Sequence, residues 1–118
     1  MLDVVVDRKR WDRGMDHLGN VYLLGPRGMC CLGFACLAAG LTAEDIQQIS
    51  IPAFARSKPL PDSLKLLVDR TGNRNSLICQ RLTGANDRLG TVDYPEAKRE
   101  ADIIKLGKEA GLNFTFEN

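Results

Sequence analysis

Apolar positions cluster most densely in one uninterrupted run, Met29-Cys30-Cys31-Leu32-Gly33-Phe34-Ala35-Cys36-Leu37-Ala38-Ala39-Gly40-Leu41, which carries no charge and no side-chain amide, carboxylate or hydroxyl. A surface helix has one apolar stripe, whereas this run is apolar on every face. It is too short to cross a bilayer, which takes roughly 18 or more residues. The run therefore predicts the buried central helix of a small domain. Pro26-Arg27-Gly28 supplies the turn before it and Gly40 a left-handed stop after it. Its small residues, Gly33, Ala35, Ala38 and Ala39, let neighbouring backbone approach closely.

The remaining pattern is read outward from that helix. Leu2 and Val4 to Val6 form an apolar lead, and a short helix is expected from Asp7 to Arg13, capped by Asp7, anchored by Trp11 and ended by Gly14. Asn20 to Leu24 is rich in β-formers and bounded by Gly19 and Gly25, which predicts a strand. Thr42-Ala43-Glu44-Asp45 reads as a helix cap with acids in the first turn, and that helix ends near Ile49. Pro52, Pro59 and Pro61 make residues 50–61 a surface loop. Asp62 begins a third helix with Leu64, Leu67 and Val68 inward, stopped by Thr71-Gly72-Asn73. Ser76 to Leu82 fits either a turn and a half of helix or an edge strand, and Gly84 to Gly90 reads as a turn-rich loop. Pro95 opens the last helix, with Ala97, Ala101, Ile103, Ile104 and Leu106 inward and Gly111 as its end. Asn113 to Glu117 closes the chain as a strand, with Phe114 and Phe116 on one face. The expected fold is α+β, one domain over residues 1–118. A buried central helix is surrounded by several others, with a small two- or three-stranded antiparallel sheet around residues 20–24 and 113–117.

Composition narrows the class. At 118 residues the chain can bury a core without metal or disulfide staples. Sixteen basic and fifteen acidic residues leave a net charge of +1, which argues against a nucleic-acid partner, since such proteins carry a distinctly basic face. Arg8, Lys9, Arg10 and Arg13 are interrupted by Asp7, Asp12 and Asp16, the pattern of a solvated segment. The beginning Met-Leu-Asp, charged by residue 7, does not read as a secretory signal. No C-x-x-C occurs among the four cysteines, and His17 is the single histidine, so neither a metal site nor a cofactor is expected. The cysteines are read as reduced, buried, small hydrophobes of a cytoplasmic protein with no membrane partner.

Three groups carry candidate chemistry. Cys30 and Cys31 lie where a turn enters a helix, a position that favours thiolate, and His17 would be the base of a cysteine-dependent hydrolase; core packing is the competing reading. Asn86-Asp87, flanked by Gly84 and Gly90, either satisfies local backbone groups of a turn or presents donors and acceptors to a ligand or partner. Gly25 to Gly28 lacks the Gly-Lys-Ser/Thr ending of a phosphate loop, yet Arg27 before a helix N-terminus is suited to an anion.

Trp11 to Gly14, then the strand, then Gly28-Met29-Cys30-Cys31-Leu32-Gly33 resembles a group of small phage and prophage proteins. These share a Cys-Cys-Leu-Gly helix start, a middle segment like Leu60-Pro61, and a later Asn-Asp followed by a C-terminal helix. Here that later part corresponds to Leu82 to Asp87 and Ala97 to Ile104, and it departs in spacing through Thr83-Gly84-Ala85. The resemblance transfers no catalytic residue. It implies an accessory phage protein in the bacterial cytoplasm, a counter-defence or host-takeover factor that binds a host protein or a nucleotide-type signal. Arg27, Asn86 and Asp87 are the expected contacts, and self-association into a homo-oligomer is a further possibility. Catalysis by Cys30 or Cys31 with His17 is the alternative.

Overall fold

The first and last segments of the chain pair with each other. The computed structural model describes residues 1–14, 21–56 and 59–118, and within them β1 (Leu2–Asp7) lies parallel to β2 (Leu112–Glu117). The register sets Leu2 beside Leu112, Val4 beside Phe114 and Val6 beside Phe116, so both strands turn apolar side chains to the same face. Asp3, Val5 and Thr115 face outward, and Asn113 Nδ2 donates to Asp3 Oδ1 at 2.9 Å across the pair. The expected antiparallel sheet is thus corrected to a parallel one. Parallel strands need a long crossover, and here the whole helical part of the chain provides it.

The expected strand at residues 20–24 is also corrected. Asn20 lies outside the described residues, and Val21 and Leu23 are buried as irregular chain. A single bridge joins Leu24 to Gln47, and Leu23 N–H donates to the Ile49 carbonyl at 2.8 Å. No helix forms over Asp7 to Arg13 either. Asp7 Oδ1 accepts from the Lys9 amide in a turn, after which Trp11 makes a parallel bridge to Met29. Trp11 is nevertheless buried, with its ring 4.9 Å from that of Phe116.

The Gly25-Pro26-Arg27-Gly28 turn closes through reciprocal backbone hydrogen bonds of 2.9 and 3.2 Å. It delivers the chain into α1 (Cys31–Ala38), which is shorter than the thirteen-residue apolar run that encodes it. Cys31 to Cys36 are buried, but Ala38 and Gly40 reach the surface, so the run is not enclosed on every face. The helix ends in a Schellman arrangement: Leu41 N–H reaches the Cys36 carbonyl, Gly40 N–H reaches that of Leu37, and Gly40 sits at φ +100°. Gly33 is required by close approach, because a Cβ there would overlap the carbonyl oxygen of Leu23.

Beyond α1, Thr42 and Asp45 form a reciprocal capping box on α2 (Ala43–Ile46), which ends before Ile49. Pro52–Phe54 forms a 3-10 turn within the expected loop, burying Pro52 and Ala53. Asp62–Leu67 is a 3-10 helix rather than an α-helix, its three-residue period bringing Leu64 and Leu67 inward. Ser76 Oγ accepts from the Cys79 amide and caps α3 (Leu77–Asp87). This settles Ser76 to Leu82 as helix and corrects the loop expected from Gly84, since α3 continues through Gly84 to Asp87. Gly84 faces open space, while Cys79, Leu82, Ala85 and Asn86 on the other face are buried and hold the helix together across it.

The last helix, α4 (Glu96–Glu109), has Pro95 as its N-cap and packs against α3 and β2. Its buried residues are Arg99, Ile103 and Gly107; Ala97 and Ala101, expected inward, are exposed. One hydrophobic cluster runs from Val4, Val6 and Phe114 through α1 to Leu64, Leu82 and Ile103.

Candidate functional site

Five of the residues singled out in the sequence, Arg27, Cys30, Cys31, Asn86 and Asp87, lie around the N-terminus of α1. α3 delivers Asn86 there, almost completely buried at 1% exposure. Its Oδ1 accepts from Trp11 Nε1 at 2.7 Å and from the Cys31 backbone N–H at 2.9 Å. Its Nδ2 donates to the Asp12 carbonyl at 3.1 Å and to Asp87 Oδ1 at 3.0 Å. A side chain 55 residues away in sequence thus satisfies one of the first amides of α1. Three of these four bonds join separate parts of the chain, tying the segment after β1 and the start of α1 to the end of α3, while the fourth is local to α3.

Asn86 also works through its backbone. Its carbonyl accepts from the Gly14 amide at 2.9 Å and from Arg99 Nη1 at 2.9 Å, and the same Nη1 donates to the Ala85 carbonyl at 2.8 Å. Arg99, 1% exposed, is further held by Glu96, whose other oxygen accepts from Arg13. Arg13 in turn lies 4.3 Å above the Trp11 ring, and Arg99 lies 5.2 Å from that of Tyr94. Glu96 pays some desolvation, but the hydrogen bonds from Arg99 and Arg13 outweigh it and hold its carboxyl below the usual range. Arg99, Glu96, Arg13 and Asp12 are the participants that sequence reasoning missed. Arg99 had a legible signal, since it stands four residues before Ile103 and eight before Gly107 on one helical stripe.

Arg27 stands at the exposed edge of this network. Its Nε lies 3.6 Å from Asp12 Oδ2, so Asp12 links Arg27 to Asn86 through its own side chain and carbonyl. Asp87 is partly buried, and that burial raises its carboxyl above the usual range; Asp12 adds to the rise, while the Asn86 hydrogen bond and Arg99 oppose it. Arg27, Asn86 and Asp87 are therefore brought together, but differently from the expected loop display. Only Arg27 is well exposed.

The two thiols lie beneath the same network. Cys30 is 6% exposed and Cys31 fully buried. Burial pushes the Cys30 thiol up to about 12, against the amides of Gly33 and Leu32, which favour thiolate as a helix N-terminus should. Cys31 is raised well above the ordinary thiol value, again chiefly by burial, with Cys30, Asp87 and Cys79 adding to it. Desolvation wins over the helix terminus, so neither sulfur is an activated nucleophile at neutral pH. His17 lies outside the described residues. Among the described residues no group of three or more His, Cys, Asp or Glu side chains is arranged to hold a metal ion, and no helix is long and apolar enough to cross a membrane. The chain matches no protein-family model, no curated protein and no solved structure.

Proposed function

We propose that this protein is a phage accessory factor that works by binding, directed at a host protein or a nucleotide-type small-molecule signal, in the manner of counter-defence or host-takeover proteins. The observation that carries this reading over cysteine catalysis is the closure of Cys30 and Cys31: both thiols are buried and held protonated at neutral pH. A nucleophile needs thiolate and access to substrate, and these sulfurs have neither. The likeness of the Cys-Cys-Leu-Gly block to phage and prophage proteins supplies the biological setting.

Capture of the tagged, full-length protein from infected cells, with mass spectrometry of retained proteins and nucleotides, tests the reading. A specific host component should be enriched, and folded His17→Ala and Cys30→Ser proteins should retain both the capture and the effect on infection. Loss of activity in each of these folded variants, with capture intact, would overturn binding as the mechanism and put the hydrolase in its place.

A further inference from the structure

A concave region lies away from the α1 terminus, between the 3-10 helix Asp62–Leu67 and the turn that follows it. It is an open groove of about 600 Å³, within the range of small-molecule sites. Pro59, Leu60 and Val68 provide apolar wall, and Lys65 and Arg70 stand on its lining. Neither cation forms an ion pair among the described residues.

The turn beside it is built to keep its shape. Asp69 accepts from the Thr71 amide at 3.0 Å, the Thr71 hydroxyl at 2.6 Å and the Gly72 amide at 3.1 Å. The Thr71 hydroxyl oxygen then accepts from the Asn73 amide at 3.1 Å, and Asp69 N–H reaches the Arg74 carbonyl at 2.9 Å. The one carboxylate in the lining is therefore spent on its own turn, and two cations remain against one anion.

We propose that this pocket binds a small organic anion with a flat apolar body, of the class of a nucleoside monophosphate. The apolar part would lie against Pro59, Leu60 and Val68, and the phosphate would meet Lys65 and Arg70. Arg70 offers planar paired donors and Lys65 a compact charge, the two modes by which proteins hold phosphate. This inference rests on the small-molecule arm of the proposed function and places the ligand away from Arg27.

Nuclear magnetic resonance titration of the full-length protein with AMP, adenosine and inorganic phosphate provides the test. AMP should shift amides of residues 59–73 saturably and bind at least about tenfold more tightly than either fragment, as summed apolar and charge contacts require. Lys65→Ala with Arg70→Ala should weaken AMP at least about tenfold, at an unchanged melting temperature, while Arg27→Ala leaves it unaltered. Absence of saturable shifts at 59–73, equal affinity for phosphate and AMP, or indifference to the double substitution would each overturn the assignment. If a host protein is still captured when AMP fails, the pocket assignment falls alone; if AMP binds as expected but capture and infection assays are silent, the proposed function falls and the pocket stands.

Discussion

Asn86 is the residue on which most depends. Its side-chain oxygen serves two buried donors from distant segments, Trp11 Nε1 and the Cys31 amide. Leaving a buried donor unsatisfied costs about 1–3 kcal/mol, so Asn86→Ala should lower the unfolding free energy by about 2–5 kcal/mol, measured by urea denaturation. An unchanged midpoint would show that the network holds nothing. Asp87→Asn should act in the opposite sense. Burial raises the Asp87 carboxyl, so the native state holds its proton to a higher pH than the unfolded chain does. That group's contribution is present below the unfolded carboxylate value and is lost as pH rises through the folded one. Asparagine removes this dependence and can still accept from Asn86, so the variant should match or exceed the parent's stability at pH 7 and show a flatter stability profile as pH rises above the usual carboxylate range. The dipeptide was visible in the sequence as a polar pair flanked by glycines. Its burial was not, because the glycines suggest a bend, whereas packing of Leu82 and Ala85 carries the helix through Gly84.

At the scale of elements, α1 is the clearest case of a segment written in the chain yet trimmed by its surroundings. It packs against β1, α2, α3 and the 3-10 turn Pro52–Phe54, and its burial is lost at its C-terminal end. Ala35 is completely buried, while Ala38 is exposed. Ala35→Lys should therefore cost about 3–5 kcal/mol, the penalty of an uncompensated buried charge. Ala38→Lys should stay within about 0.5 kcal/mol, as surface changes do. Thermal melts of the two variants check the pair, and equal losses would mean that the helix is enclosed to its end. Phe34→Ala, which opens a cavity in the same core, should cost about 3–5 kcal/mol. The α4 stripe followed the same logic in reverse. Alanines at 97 and 101 suit a buried face, but Arg99 displaces them because its guanidinium finds the carbonyls of Ala85 and Asn86 at the end of α3.

At the scale of the whole molecule, four buried thiols give the fold a pH dependence. Cys30 and Cys79 are both pushed up to about 12, and Cys31 and Cys36 are also raised, in every case first by burial. In the unfolded chain thiols ionise near about 8.5. Between that value and the folded ones the native state binds more protons, so stability is full below about pH 8.5 and falls as pH rises. Urea midpoints at pH 7.5 and pH 10 should show that fall, and replacing Cys79 by Ala should reduce its slope. Under native conditions at pH 7.5 a thiol reagent should label few of the four cysteines, and all four in denaturant; rapid native labelling of Cys30 would contradict the burial described above.

The sequence by itself determined the local features: the apolar start of α1 and its glycine stop, the Gly25 to Gly28 turn, the Thr42–Asp45 capping box, the break at Gly111 and the alternating Phe114 and Phe116. Each rests on contacts between residues a few positions apart. Tertiary structure alone decided the rest. The pairing of β1 with β2 and its parallel sense, the reduction of residues 20–24 to irregular chain, and the gathering of Trp11, Cys31 and Asn86 around one amide all join groups far apart in sequence. Spacing along the chain encodes periodicity; it does not encode which distant donor a buried acceptor will meet.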